Sequence, residues 1–263
     1  YKMEKGTVFF YDFASESYQE KVVSPNIISL DALKARDKVV QTSESTSLID
    51  LDDGVFCLEF HTKMNSLNQQ IVEAFHSARE LVDKEGIGLV IGNQAGGMPG
   101  AFSAGANLAD MSAAAKAGRY AEIEQLIKNL QYGLQELRYA PFPFVAAPFG
   151  LTLGGGCEVC LAADKIVAHA ELYMGLVEIG VGLLPGGGGC LNLWKKMTAD
   201  IPEAVTEIDL TKFFIPTFMA IAMAKVSMSA AEARANGFLG PKDRIVLNRD
   251  YLIGEAKKEV LKL

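Results

Sequence analysis

The chain alternates short apolar runs with longer segments in which apolar residues recur every three or four positions. Val55–Phe60 is a short, mostly apolar run behind the turn pair Asp53-Gly54 and reads as a strand. Residues 68–84 place Ile71, Ala74, Phe75, Ala78 and Leu81 at helical spacing. Residues 87–92 are a buried-strand run, and a glycine-rich loop over 96–105 follows it. The segment 120–137 reads as a second helix, with Ile123, Ile127, Leu130 and Leu134 on one face. Residues 143–150 are again strand-like and run into Leu153-Gly154-Gly155-Gly156, where a helix begins. A strand is expected over 165–168 and an apolar helix over 213–225. Ser229 has N-cap chemistry with Glu232 three residues on, and that helix stops at Asn236-Gly237. A last helix is expected over 251–263. Strands alternating with helices predict an α/β layered fold with crossover connections.

Residues 1–46 lack this regularity. They are polar apart from Phe9, Phe10, Tyr11, Phe13 and Tyr18, and 41–47 reads as a loop or linker. An aromatic-rich segment without a core of its own is expected to dock, either on the domain that follows or on one that precedes it. The first residue is Tyr rather than Met, which fits a piece of a longer chain.

Composition narrows the function. With 263 residues, 49% apolar and 22% charged, the chain has room for one large core or two modest domains. Its net charge of −7 and lack of a basic block argue against a nucleic-acid binder. A local basic pocket for a phosphorylated small molecule remains compatible with that sum. The longest apolar run, 213–224, is too short for a membrane span and is broken by Pro216. The start lacks the apolar core of a signal peptide. Four cysteines make no disulfide framework, and a reducing cytoplasm is the expected compartment.

The glycine-dense places are 96–100, 105, 154–156, 182 and 186–189. None has the dinucleotide spacing or the Lys-Ser/Thr of a phosphate-binding loop. Gly96, Gly97 and Gly100 read as turn residues. Gly154-Gly155-Gly156, between an apolar strand and a helix, frees backbone N–H groups to face an anion, and residues 185–189 ahead of Leu191 follow the same logic. Cys157 and Cys160 have the spacing of a redox or metal pair, but no second pair exists, and they read as small buried residues; no metal ligand set is legible. His61 reads as a loop residue rather than a base. Glu158 and Glu178 each lie in an apolar, glycine-flanked stretch, where a carboxylate is costly unless used or paired. They either face one cavity or are two unrelated, partly exposed glutamates.

Several of these pieces occur in an order that resembles the enoyl-CoA hydratase/isomerase (crotonase) superfamily. Residues 101–108 (AFSAGANL) are similar to its F-x-A-G-A-D-[IL] loop, and 153–158 (LGGGCE) to its G-G-G-x-E motif. Glu178 stands at its second glutamate position, and 182–189 (GLLPGGGG) is similar to its G-x-x-P-G-x-G-G turn. Residues 63–67 and 229–239 resemble two further elements, so the likeness covers roughly 48–263. The wording at 54–65, 104–108 and 244–250 is similar to the hydratase part of bacterial fusions with a 3-hydroxyacyl-CoA dehydrogenase, in which the NAD-binding part comes first.

The resemblance implies a crotonase-type α/β fold, a spiral of β-β-α units with a helical C-terminal region over 47–263. Residues 1–46 become a linker or the tail of a preceding dehydrogenase part. It implies hydration of trans-2-enoyl-CoA to 3-hydroxyacyl-CoA in fatty-acid β-oxidation, with acyl-CoA as substrate and no cofactor in this segment. NAD would serve the linked dehydrogenase part. The amides of Ala106 and Gly155 would form an oxyanion hole, Glu158 would activate water and Glu178 would deliver a proton. Lys63, Met64, Ala104, Leu108 and Gly186 would border the CoA or its acyl group. Asn107 stands where the family has Asp, Leu176-Val177 where hydratases often have Gln-Pro, and 197–218 diverges, which bears on the acyl pocket or a subunit interface. A homo-oligomer is a further family expectation. The alternatives are a sister isomerase or thioester hydrolase reaction, and a non-catalytic acyl-CoA-binding domain.

Overall fold

A computed structural model describes the chain except for residues 5, 6, 23, 95–99, 203 and 206. Gly96 and Gly97 therefore lie outside the described residues. An antiparallel meander of β1 (Lys2–Glu4), β2 (Thr7–Asp12) and β3 (Ser17–Glu20) comes first. Then follow α1 (Leu30–Lys34), β4 (Val39–Thr42), β5 (Thr46–Asp50), β6 (Val55–Phe60), a 3-10 turn (Lys63–Asn65) and α2 (Gln69–Glu85). The middle of the chain carries β7 (Gly88–Gly92), β8 (Ala101–Ser103), α3 (Leu108–Lys116), α4 (Tyr120–Arg138), β9 (Phe144–Ala147), β10 (Gly150–Leu153) and α5 (Gly155–Ala162). Next come β11 (Lys165–His169), β12 (Leu172–Gly175), a 3-10 turn (Glu178–Val181), α6 (Gly189–Thr198), α7 (Thr211–Ala222) and α8 (Ala230–Ala235). The chain closes with β13 (Arg244–Val246), a 3-10 turn (Arg249–Tyr251) and α9 (Leu252–Val260).

Two further sheets form the body, ordered β13-β11-β9-β7-β6-β5-β4 and β12-β10-β8. Each successive β-β pair (β7 and β8, β9 and β10, β11 and β12) gives one strand to the large sheet and the next to the small one. Within each sheet these strands are parallel. A helix then returns the chain to the large sheet, and the repeat makes a spiral. The buried strands β7 and β9 are continuous apolar runs because both faces are covered. Asn93, 1% exposed, holds the layers in register: its side chain accepts from the Phe60 amide at 2.7 Å and donates to the Phe102 carbonyl at 2.7 Å. Phe60 packs against Phe75 and Phe102 with ring centroids 6.1 and 6.3 Å apart. Truncating such a ring to Ala costs about 3–5 kcal/mol.

Two sequence expectations change. Residues 143–150 are not one strand: the chain leaves β9 at Pro148 and re-enters the small sheet as β10. Residues 41–47 are not a linker. They form the tip and ends of a β4–β5 hairpin at the edge of the large sheet, closed by Ser43 Oγ, which accepts from the Ser45 and Thr46 amides at 3.1 Å each. Just before the hairpin, Leu30 is fully buried, and its amide and the Ile28 carbonyl both bond to the Gln94 side chain. Lys34 pairs with the buried Glu59 at 2.6 Å. So α1 and β4 are built onto the body, and the expected boundary at 46/47 falls inside a hairpin.

Candidate active site

Two strand ends of the small sheet meet beside the entry to α5. After β8 the chain turns through Gly105, whose φ of +90° suits glycine; a Cβ there would also lie 2.8 Å from the Leu153 carbonyl oxygen. The Leu67 amide donates to the Gly105 carbonyl at 2.8 Å, and the Asn107 amide to the Leu67 carbonyl at 3.2 Å, which pins the loop on both sides of Ala106. Asn107 does the capping work of an Asp: its Oδ1 accepts from the Ala109 amide and starts α3. After β10 the chain turns through Gly154, at φ +53°, into α5. The Ala106 and Gly155 amides thus come together, a Cβ on Gly155 falling 3.7 Å from the Ala106 nitrogen. Among the described residues neither amide has an acceptor within the chain. Two fixed, unspent donors, one at a helix N-terminus, suit an oxygen that gains negative charge.

These amides open onto a cavity of about 140 Å³. Its walls are apolar, with Leu67, Val72, Leu126, Leu130 and Leu183 among them, and it holds two carboxylates, Glu158 and Glu178. Their settings differ. Glu158, on the first turn of α5, is 2% exposed, and its Oε1 accepts from the Gly189 amide at 2.8 Å. The Gly187 backbone lies against the other oxygen, a Cβ there falling 2.6 Å from Oε2. Burial pushes the Glu158 carboxyl up, and backbone amides of the 185–189 turn pull it back toward the ionised form. Neither oxygen of Glu178 has a hydrogen-bond partner. Burial first, then the charge of Glu158, lifts the Glu178 carboxyl to about 7. The two carboxyls on one cavity thus sit in different surroundings, one bonded to a backbone amide and the other without a partner, a contrast that can separate base from acid.

The structure brings Glu158, Glu178, Ala106, Gly155, Ala104, Leu108 and Gly186 to this one cavity. Lys63 and Met64 are not in its lining; they sit on the 3-10 turn against β8, where the Ala104 amide donates to the Met64 carbonyl at 3.0 Å. No described residue of the divergent stretch 197–218 lines the cavity. Within the 185–189 turn, the Gly189 amide faces the chain's own Glu158 carboxylate. Cys157 and Cys160 are buried thiols pushed well above their ordinary range by burial, unsuited to redox work. His61 pairs with Glu59 at 3.2 Å, outside the cavity lining. Ile127 and Leu130, on one helical face as the spacing predicts, wall the cavity, and Leu130 also belongs to the buried core. Sequence reading missed Met111, Val181 and Gln131, whose side chain donates to the Gly186 carbonyl at 2.5 Å.

A parallel-strand spiral with paired free amides and paired carboxylates at one mouth defines a crotonase-type α/β enzyme fold. Residues 50–208 match the enoyl-CoA hydratase/isomerase family, and the chain belongs to it. It is 42% identical over 258 residues to a Bacillus subtilis protein described as a probable 3-hydroxyacyl-CoA dehydrogenase, covering 98% of this chain and 31% of that protein. It is 33% identical over 171 residues to a Rickettsia felis protein described as a fatty acid oxidation complex trifunctional enzyme, covering 65% of this chain and 23% of that one. The chain therefore spans a third or less of these relatives. The fold is shared with an enoyl-CoA hydratase from Bacillus anthracis at a TM-score of 0.67 and 20% identity, over 83% of this chain and 76% of that one. No helix among the described residues is long and apolar enough to cross a membrane.

Proposed function

We propose that the chain adds water across the double bond of a trans-2-enoyl-CoA to give a 3-hydroxyacyl-CoA. The observation that carries this reading is the contrast between two carboxylates on one apolar cavity, Glu158 held by the Gly189 amide and Glu178 unpartnered with its carboxyl lifted to about 7. The thioester oxygen lies between the Ala106 and Gly155 amides. Glu158 takes a proton from water as the hydroxyl oxygen bonds to the β-carbon. Electrons shift onto the thioester oxygen, where the two amides stabilise the enolate. Glu178 then gives its proton to the α-carbon, and proton exchange with solvent resets the pair. Ala104, Leu108 and Gly186 border the ligand, and Lys63 and Met64 lie outside the cavity on the CoA side.

The reading calls on no cofactor within this segment. The similarity to longer relatives supports a setting in fatty-acid oxidation, with a covalently linked, NAD-using dehydrogenase part oxidising the product. The test is the loss of enoyl absorbance on adding the protein to crotonyl-CoA and to a longer enoyl-CoA. Wild type should turn over, and E158Q and E178Q should each lose at least about 100-fold in kcat. Dependence on one carboxylate alone would point to an isomerase, and acyl-CoA binding without turnover to a non-catalytic domain.

A further inference from the structure

Glu158 depends on a turn with little of its own to hold its shape. Gly186, Gly187, Gly188 and Gly189 follow one another, and a peptide between two glycines has no Cβ on either side to resist rotation. The peptide joining Gly186 to Gly187 matters most, because Gly187 lies directly against Glu158 and the same turn carries the Gly189 amide that donates to it. A Cβ on Gly187 would sit 2.6 Å from Glu158 Oε2, so only glycine lets the backbone come this close. The carbonyl of that same peptide belongs to Gly186, and Gln131 Nε2, reaching over from α4, donates to it at 2.5 Å. The α4 neighbours Ile127 and Leu130 brace the turn sterically: a Cβ on Gly186 would lie 3.2 Å from Ile127, and one on Gly187 2.9 Å from Leu130. Apolar packing limits how far the turn moves, but it does not set which way a peptide plane faces. A hydrogen bond to the carbonyl does.

We propose that Gln131 is the positioning residue for Glu158, fixing the 186–187 peptide so that its N–H faces the carboxylate. The C=O and N–H of a trans peptide point opposite ways, so anchoring one aims the other. A donor on the carbonyl also polarises the N–H and strengthens its bond to an anion. Gln131 thereby helps keep Glu158 ionised without touching it. The consequence for rate rests on the hydratase reading; the clamp is a property of the folded chain.

The experiment replaces Gln131 with Met, which keeps the shape and helix propensity and removes the donor. Protein labelled with 13C at the glutamate side-chain carboxyls is titrated by NMR, and the signal missing from E158Q identifies Glu158. Its midpoint should rise by about one pH unit in Q131M, and the acid limb of kcat/KM should move with it, lowering kcat/KM about 10-fold at pH values below the midpoint. The other titratable groups around Glu158 are Glu178 on the 3-10 turn and the thiols of Cys157 and Cys190, all unaltered by the change. Q131L, which also removes the donor and adds no charge, should raise the midpoint by a similar amount and keeps the test open should Q131M fold poorly. An unchanged Glu158 midpoint in the folded variants would overturn the proposal, as would a rate loss equal at every pH. A shifted midpoint in a protein without enoyl-CoA turnover would uphold the clamp and sink the hydratase reading alone.

Discussion

Replacing Glu178 with Gln should make the protein more stable while removing its activity. The folded chain holds the Glu178 carboxyl at about 7 against an ordinary 4.5, because burial and then Glu158 oppose its ionisation. Ionising a carboxyl so displaced costs ~3.4 kcal/mol in the folded state. Glu178 is only half-buried, so water screens part of this, and about 1–2 kcal/mol remains as a stability penalty. The sign follows from proton counts. Between pH 4.5 and about 7 the folded chain binds more protons at this site than the unfolded chain, so the site costs stability as pH rises. Below 4.5 the penalty is absent, and above about 7 it is complete. Gln carries no charge at any pH and escapes it. Thermal unfolding of wild type and E178Q at pH 4.5 and pH 8 measures the difference. E178Q should melt about 3–5 °C higher at pH 8 and level with wild type at pH 4.5. An E178Q midpoint equal to or below wild type at pH 8 would refute the reasoning, because Glu178 would then have an ion or hydrogen-bond partner that the fold does not show. Residues placed for chemistry rather than for stability are expected to behave this way.

Two other measurements follow. The pH profile of kcat/KM should be bell-shaped, rising as Glu158 ionises and falling as Glu178 loses its proton near about 7; a plateau extending well above pH 7 would exclude Glu178 as the proton donor. Glu259, 3% exposed, opposes its own burial with hydrogen bonds from Lys165 and Lys262, which hold its carboxyl at about 2. Its stabilisation is present above 4.5 and lost as pH falls toward about 2. E259Q leaves Lys165 without its charge partner and should destabilise by about 3 kcal/mol at pH 7 in urea unfolding; a change under about 0.5 kcal/mol would show that the ion pair contributes nothing net.

Much of the site was legible because its demands are local. A glycine at positive φ between strand and helix, as at Gly154, follows from backbone sterics and stands in the sequence as a glycine run. Glu158 and Glu178 stood out because charge in an apolar run is costly enough to need a reason. The Ser229 cap, accepting from the Glu232 amide at 3.1 Å, and the α2 and α4 stripes were readable from periodicity. What stayed hidden depends on partners far along the chain. The 39–50 hairpin was missed because its outer strand is mostly exposed and gains its hydrogen bonds from β5 rather than from an apolar pattern. Residues 143–150 read as one strand because an apolar run carries no mark of which sheet each half joins; the break at Pro148 sends β9 to one sheet and β10 to the other. Ile127 and Leu130 have the same helical spacing whether they face a core or a cavity. Gln131 lies 55 residues from the carbonyl it holds, and a polar residue beside an apolar stripe reads as a solvated face until the fold supplies that carbonyl. The sequence by itself determined the backbone turns and the costly charges, since both are settled by a residue and its immediate neighbours. Only tertiary packing decided that one carboxylate is held by a backbone amide while the other is left alone, because a carboxyl's ionisation depends on the water, charges and donors around it in space.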